Sequence, residues 1–274
     1  MQLNVKNLLA LAASFALVGS STSTYVPPSI NLPTPTVQSC LAYSTLNNLP
    51  TPVVPFQACN TPLSERYVAR STLNNIIEEQ FCPDAVKMQP FPPEMNTIRR
   101  LYNNGTPEHV AISINWANKP NKSNFKLDLH ECLRFLRDMV LDGCNGNDPN
   151  NPMNWKGGGL LRADGATYKI EPLSQRQPFP KEPSGLCKVT HANPYHHVVI
   201  QGIGWANSDW GKMLEDKLCD CDLLPDTFHF TYELGYKGRE WNATMYTTTW
   251  KENCIVGAAK QAGASNSFKC DASA

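Results

Sequence analysis

The residues best suited to chemistry lie on one short segment. Between Thr227 and Leu234, Phe228, Phe230, Tyr232 and Leu234 alternate with His229, Thr231 and Glu233. Arg239 and Glu240 follow just beyond a turn. A histidine, a glutamate and an arginine gathered on a concave sheet face can cleave RNA by general acid–base catalysis with charge stabilisation. The spacing is unfavourable, however. His229 and Glu233 are four residues apart, roughly 13 Å on a strand rising ~3.3 Å per residue. Direct cooperation would need partners from other strands, and the ordinary reading of such a face is a solvated polar one. Paired glycosidase carboxylates leave no local motif, so a glycan hydrolase stays an open alternative. No G-x-S-x-G elbow and no glycine-rich phosphate loop occurs in the chain.

A second unusual segment is GCNGNDPNNPMNWKGGG, Gly143 to Gly159. It is long for a loop inside a compact domain, and such loops are often functional. Its Asn and Asp oxygens could hold calcium, yet the D-x-[DN]-x-[DN]-G-x5-E spacing is missing. Turn formation explains the composition as well, because Asn, Asp, Gly and Pro supply turns and positive φ angles. Trp155 and Lys156, followed by three glycines, are the candidates for presenting an aromatic face to a sugar or partner.

Metal chemistry finds little support. His191, His196 and His197 cluster in HANPYHH without an acidic or thiol partner at a usual interval, and neighbours on a strand point to opposite faces. HECLR at 130–134 is not HExxH, because Arg134 stands where the second histidine is needed. Cleavage near Gly19–Thr24 would not expose an N-terminal histidine, which argues against a copper polysaccharide oxygenase. No metal and no cofactor is expected.

The compartment is legible at the N-terminus. Lys6 precedes the apolar run Leu8–Val18, which is shorter than the ~20 residues of a membrane span and is followed by small residues. Residues 1–22 therefore read as a secretory signal peptide. No later segment is apolar enough to span a membrane, and the expected habitat is extracellular. All ten cysteines lie beyond the leader: Cys40, Cys59, Cys82, Cys132, Cys144, Cys187, Cys219, Cys221, Cys254 and Cys270. The even count and the absence of any CxxC pair point to five disulfides rather than zinc. Cys219-Asp220-Cys221 is too tight for an easy mutual bridge, so each should pair elsewhere. Sequons at Asn104, Asn121 and Asn242 are candidate N-glycosylation sites. With 24 basic and 24 acidic side chains the chain has no net charge, so nucleic acid is not expected as a main partner.

These residues must be positioned by a fold. Eight prolines between 26 and 62 make 23–61 an extended segment that Cys40 and Cys59 pin down. A helix is expected over 62–81, starting at Thr61-Pro62. Val110, Ile112, Ile114 and Trp116 alternate as a half-buried strand. Asp128 and Glu131 cap a helix that Gly143 stops. Strands follow at 167–171 and 197–204, then a helix over 209–219 with Ser208 as its cap. The segment 227–234 pairs with 240–248 as a hairpin with its apolar residues facing inward. Thr249 and Glu252 cap a last helix carrying Cys254, Ala258 and Ala262. This order implies an α+β fold, a mainly antiparallel sheet with helices on one face, stapled by disulfides. Residues 62–175 and 185–270 are expected as two related α+β halves, with the boundary in the proline-rich 172–183.

ECLRFLRDMVLDGCNGNDPNNPMNWKGGG (131–159), the following YKIEP, and EWNATMYTTTWKENCIVGAAKQAG (240–263) resemble segments of fungal secreted cysteine-rich proteins. The resemblance is to the killer-toxin-like and necrosis-inducing effectors, and to related appendages of chitinase-like proteins. It implies a compact disulfide-stapled sandwich without enzymatic activity. The expected function is a secreted effector or toxin-like protein acting on a host or competing organism. The alternatives are a secreted hydrolase, ribonuclease-like or glycan-active, and a carbohydrate-binding wall protein, which would make a glycan the partner.

Overall fold

The computed structural model describes residues 55–62, 65–146, 148–248 and 251–273. The expected signal peptide, Cys40, most of the proline-rich segment and Thr249 lie outside the described residues.

The chain runs β1 (Phe56–Cys59), β2 (Val68–Ala69) and α1 (Arg70–Asn75), which continues through a π-helical turn (Ile76–Phe81) into α2 (Cys82–Lys87). The expected helix start at Thr61-Pro62 is not used. Val68 and Ala69 pair instead with Lys156 and Trp155, and a backbone committed to a ladder cannot also close helical turns. The widened turn directly precedes Pro83, whose ring has no N–H to give to the ordinary i−4 bond. Next come β3 (Thr97–Tyr102), β4 (Val110–Asn115) and α3 (Leu129–Leu133), which widens into a π-helical stretch over Arg134–Leu141. The Asp128 carboxylate accepts the Glu131 N–H at 2.8 Å and so caps α3 as expected. β5 (Trp155–Lys156), β6 (Gly159–Ala163) and β7 (Ala166–Pro172) complete the first part.

The second part is β8 (Ser184–Ala192), β9 (Tyr195–Ile203), α4 (Lys212–Leu218), β10 (His229–Tyr232), β11 (Trp241–Thr247), α5 (Glu252–Gln261) and β12 (Cys270–Ser273). α4 is not capped by Ser208: Asp209 accepts the N–H groups of Gly211 and Met213. β10 is shorter than expected, and Leu234 is 59% exposed rather than inward, because the strand ends at Tyr232.

The fold is α+β. The first sheet has the order β1-β6-β7-β4-β3, with every pairing antiparallel. The second has the order β10-β11-β9-β8-β12, with only β12 parallel to its neighbour. Both sheets are built on two hairpins joined through a helix, and in both the second strands of the two hairpins lie side by side, β4 on β7 and β9 on β11. Alternation decides which face is buried. Val110, Ile112, Ile114, Tyr168 and Ile170 meet Leu73, Ile77, Phe135 and Leu136 from the helices in one core. Val198, Ile200, Trp241, Ala243 and Met245 meet Leu214, Leu218, Ile255 and Ala258 in the other.

Four disulfides join Cys59 to Cys144, Cys82 to Cys132, Cys187 to Cys270 and Cys221 to Cys254. Among the described residues Cys219 is unbridged and exposed, and Cys40, the remaining cysteine of the expected five bridges, lies outside the described residues. The first two bridges tie elements around the first sheet, the last two around the second, and none of the four crosses between the sheets.

The connection between them is polar and buried. Arg176, in the segment joining β7 to β8, gives its Nε and Nη2 protons to Glu240 Oε1 and Oε2 at 2.9 and 2.7 Å. Its Nη1 donates to the Tyr67 carbonyl at 3.0 Å. The guanidinium lies 4.0 Å from the centre of the Tyr67 ring and 4.9 Å from that of Trp155. The two charged side chains are 0% and 1% exposed. Burial alone would weaken the guanidinium's hold on its proton, but the hydrogen bonds and charge of Glu240 raise its pKa above the ordinary arginine value. The proline-rich 172–183 is thus a packed seam: the Tyr67 hydroxyl donates to the Gln177 carbonyl and Trp155 Nε1 to that of Pro180.

Two outcomes follow. Peptide mapping without reductant should recover the four named cystine pairs. Full reduction should remove about 2–4 kcal/mol per bridge, enough to abolish a cooperative thermal transition in a protein of ordinary stability, and a reduced protein that still melts cooperatively would contradict this. Arg176→Met should cost about 3–5 kcal/mol in urea unfolding, because it strands a buried carboxylate. The Arg176→Met/Glu240→Leu double variant should recover most of that loss. A single variant as stable as the parent would show that the ion pair does not hold the seam.

Candidate functional site

The Asn/Asp-rich loop singled out in the sequence forms one wall of a concavity. Its two ends are fixed from below. Cys144 is bridged to Cys59 on β1. Lys156, nearly fully buried, donates its ammonium protons to the carbonyls of Cys144 and Asn145 at 3.0 and 3.1 Å. Desolvation lowers the pKa of this lysine, with Asp142 opposing the shift. Asn145 Oδ1 accepts the Gly157 N–H, and Asn151 exchanges two hydrogen bonds with the Trp155 backbone at 2.8 and 2.9 Å. Asp148 accepts the Asn150 N–H. Asn145 and Asn154 adopt positive φ, which asparagine tolerates better than most residues. Turn chemistry and these hydrogen bonds thus hold the described residues of the loop in place.

Facing this wall is Phe179, half-buried and flanked by Pro178 and Pro180. Its ring packs edge-on against Tyr67, 5.9 Å between centres. A cavity of about 390 Å³ lies between Phe179, Pro62, Asn145, Asp148 and Asn150. A second of about 320 Å³ adjoins it, sharing Pro62, Asn150 and Phe179 and reaching Glu65, Pro178 and Lys181. Together they make a groove with an aromatic and prolyl floor, edged by amides, carboxylates and one ammonium. Such a floor suits the C–H face of a sugar ring, and such an edge suits its hydroxyls.

The residues expected from sequence are placed differently. Trp155 is 1% exposed, so it offers no face to a sugar. It and Lys156 support the groove from beneath, because β5 lies between the loop and β2. His229 is exposed on the edge strand β10, whereas Glu240 is buried with both oxygens committed to Arg176. Arg239 donates to Ser184 Oγ, and burial lowers its pKa. Glu233 and Glu240 line one cleft, to which neither His229 nor Arg239 contributes. The four do not assemble as a general acid–base group. His191 and His196 pair across strands, with 2.8 Å between their Nδ1 atoms, while His197 stacks near Tyr246 on the opposite face. Among the described residues no three His, Cys, Asp or Glu side chains gather as a metal site would need, and no helix is long and apolar enough to cross a membrane. Asn104 and Asn121 are exposed, and Asn242 is half-buried on β11. Sequence reasoning missed Phe179 and Arg176. The Pro-Phe-Pro triplet was the available signal, since flanking prolines hold an aromatic ring out on stiff backbone.

No curated protein and no solved structure matches this chain. The four disulfides, and the match that follows, fit a fungal cysteine-rich protein that is exported, without singling out the killer-toxin-like or necrosis-inducing group. Residues 55–173, which carry the whole first sheet and the loop wall of the groove, match the family model Fungal_lectin_2, described as "Putative glycan binding domain".

Proposed function

We propose that this chain is a secreted, non-enzymatic glycan-binding protein whose site is the groove between the Asn/Asp-rich loop and Phe179. The observation that carries this reading is a coincidence of place. The glycan-binding family match covers 55–173, and the groove wall that carries Asn145, Asp148, Asn150 and Asn151 lies inside it. A sugar ring laid on Phe179 would exchange its hydration for contact with the ring face and Pro62. Asp148, Asn150 and Glu65 would select among hydroxyl arrangements. The hydrogen bonds that hold the loop exist before any ligand arrives, so little ordering entropy opposes binding. A host or competitor glycan would make the protein an effector, and the producer's own would make it a wall protein.

Pull-downs on insoluble chitin and β-glucan, followed by titration with soluble oligosaccharides of the retained polymer, test this reading. Phe179→Ala should remove about 1.5–3 kcal/mol of apolar contact, a loss of roughly ten- to a hundred-fold in affinity. Failure of the native protein to bind any polysaccharide, or undiminished binding by the variant, would sink the proposal.

A further inference from the structure

The second sheet turns Val198, Ile200, Trp241, Ala243 and Met245 into its core. Alternation therefore turns His197, Val199 and Gln201 of β9 and Asn242, Thr244 and Tyr246 of β11 to the other side. His229 and Thr231 join them from β10, opposite Thr244 and Asn242. All of these side chains are half-buried or exposed, so among the described residues none is shut off from solvent. We propose that Asn242 carries an N-linked oligosaccharide whose sugars lie over this face. The inference rests on export through the secretory route and not on what the Phe179 groove binds.

The outer faces of the two sheets differ in kind. That of the first carries Arg99, Arg162, Lys169 and Glu171, and Glu171 pairs with Lys169 at 2.7 Å and with Arg99 at 3.9 Å. In the second sheet β9, β10 and β11 contain no Asp, Glu, Lys or Arg. What their outer side offers is hydroxyls, amides and imidazoles. It also offers one aromatic pair, since the 42% exposed Tyr246 lies 4.9 Å from His197 between ring centres. A neutral face of hydrogen-bonding groups and rings complements a sugar chain, with its hydroxyls, amides and C–H faces, and gives a charged partner nothing to pair with.

The sequon Asn242-Ala243-Thr244 lies in the middle of that face. The strand period of two sets Asn242 and Thr244 on the same, outward side, and β11 runs between β10 and β9. Asn242 Oδ1 accepts the Gln201 amide at 3.3 Å, and its Nδ2 donates to no described residue. In the modification Nδ2 forms a bond to C1 of an oligosaccharide carried on a lipid pyrophosphate. The C1–O bond breaks, the lipid pyrophosphate leaves with the electron pair, and Nδ2 loses one proton. Oδ1 is untouched, so the bond from Gln201 survives and the folded protein loses no internal contact. Thr231 and Gln201, directly opposite Asn242 on either side, are placed to meet the first sugar. Tyr246, four residues along the strand or roughly 13 Å, is placed to meet those beyond it. The other two sequons begin at Asn104 and Asn121, which lie in turns outside the strands. Attachment there would not set a glycan on a sheet face.

The test uses the full chain secreted from a yeast host. Peptide mapping by mass spectrometry, before and after a peptide N-glycosidase that leaves aspartate at each released site, should find residue 242 converted only by the enzyme. Asn242→Gln should remove one glycan from the intact mass. Thr244→Ala, which keeps the asparagine but breaks the sequon, should do the same, and either variant suffices if the other does not fold. Labelling with diethyl pyrocarbonate should then rise severalfold at His197 and His229 in the bare variant. His191 and His196, which pair on the opposite side of the sheet, should label as before. Equal thermal midpoints would establish that the fold is unchanged. An unmodified Asn242 in the secreted chain, occupancy at Asn104 or Asn121 alone, or retention of the chain in the cytosol would overturn the proposal. So would equal labelling of His197 and His229 with and without the sugar.

Discussion

A buried guanidinium holds this molecule together. Arg176 is the point at which the two sheets, each covalently stapled within itself, are tied to one another. Its bidentate contact with Glu240 reaches the second sheet, and its bond to the Tyr67 carbonyl reaches the first. Its guanidinium also packs against the rings of Tyr67 and Trp155. Tyr67 backs Phe179 on one side, and Glu240 lines the intersheet cleft on the other. A pair so deeply buried is tolerated only because its hydrogen bonds are nearly all made. The neighbouring Glu108 follows the same logic. Burial pushes its carboxyl pKa up, while Arg176, Thr72 and the Ala69 N–H pull it back.

The division of labour between covalent and polar forces follows from this. Disulfides fix β1 to the loop, α2 to α3, β8 to β12, and the end of α4 to α5. They close loops with sequence separations of 33 to 85 residues, each within one half, and a crosslink reduces the entropy of the unfolded chain more the longer the loop it closes. The intersheet seam has no such staple among the described residues, and the clefts lie where it runs.

Much of the frame was legible from local signals. The half-buried strand over 110–115, the Asp128-capped helix, the strand over 166–172, and the 229–247 hairpin follow from alternation, caps and turns. Seven strands escaped: the longer β3 and β8 were not read from sequence, and β1, β2, β5, β6 and β12 are short and are strands because a distant partner offers a ladder. Their own residues, such as Trp155-Lys156 or Val68-Ala69, carry no period to read. The candidate site divides in the same way. The Asn/Asp-rich loop stood out by composition, but Trp155 within it points into the core because β5 pairs with β2.

The sequence by itself determined the chemical inventory and the class of fold: an apolar run near the N-terminus, ten cysteines, no net charge, and alternating and helical periods that make an α+β protein. These properties depend on neighbours within a few residues, and short-range physics writes them into the chain. Only the tertiary structure decided which cysteines meet, that Glu240 serves an ion pair rather than an acid–base group, and that Trp155 is buried while the half-buried Phe179 edges a groove. Each of those outcomes joins residues tens of positions apart. Burial and pairing at that distance are properties of the packed molecule, set by which faces remain once both cores have closed.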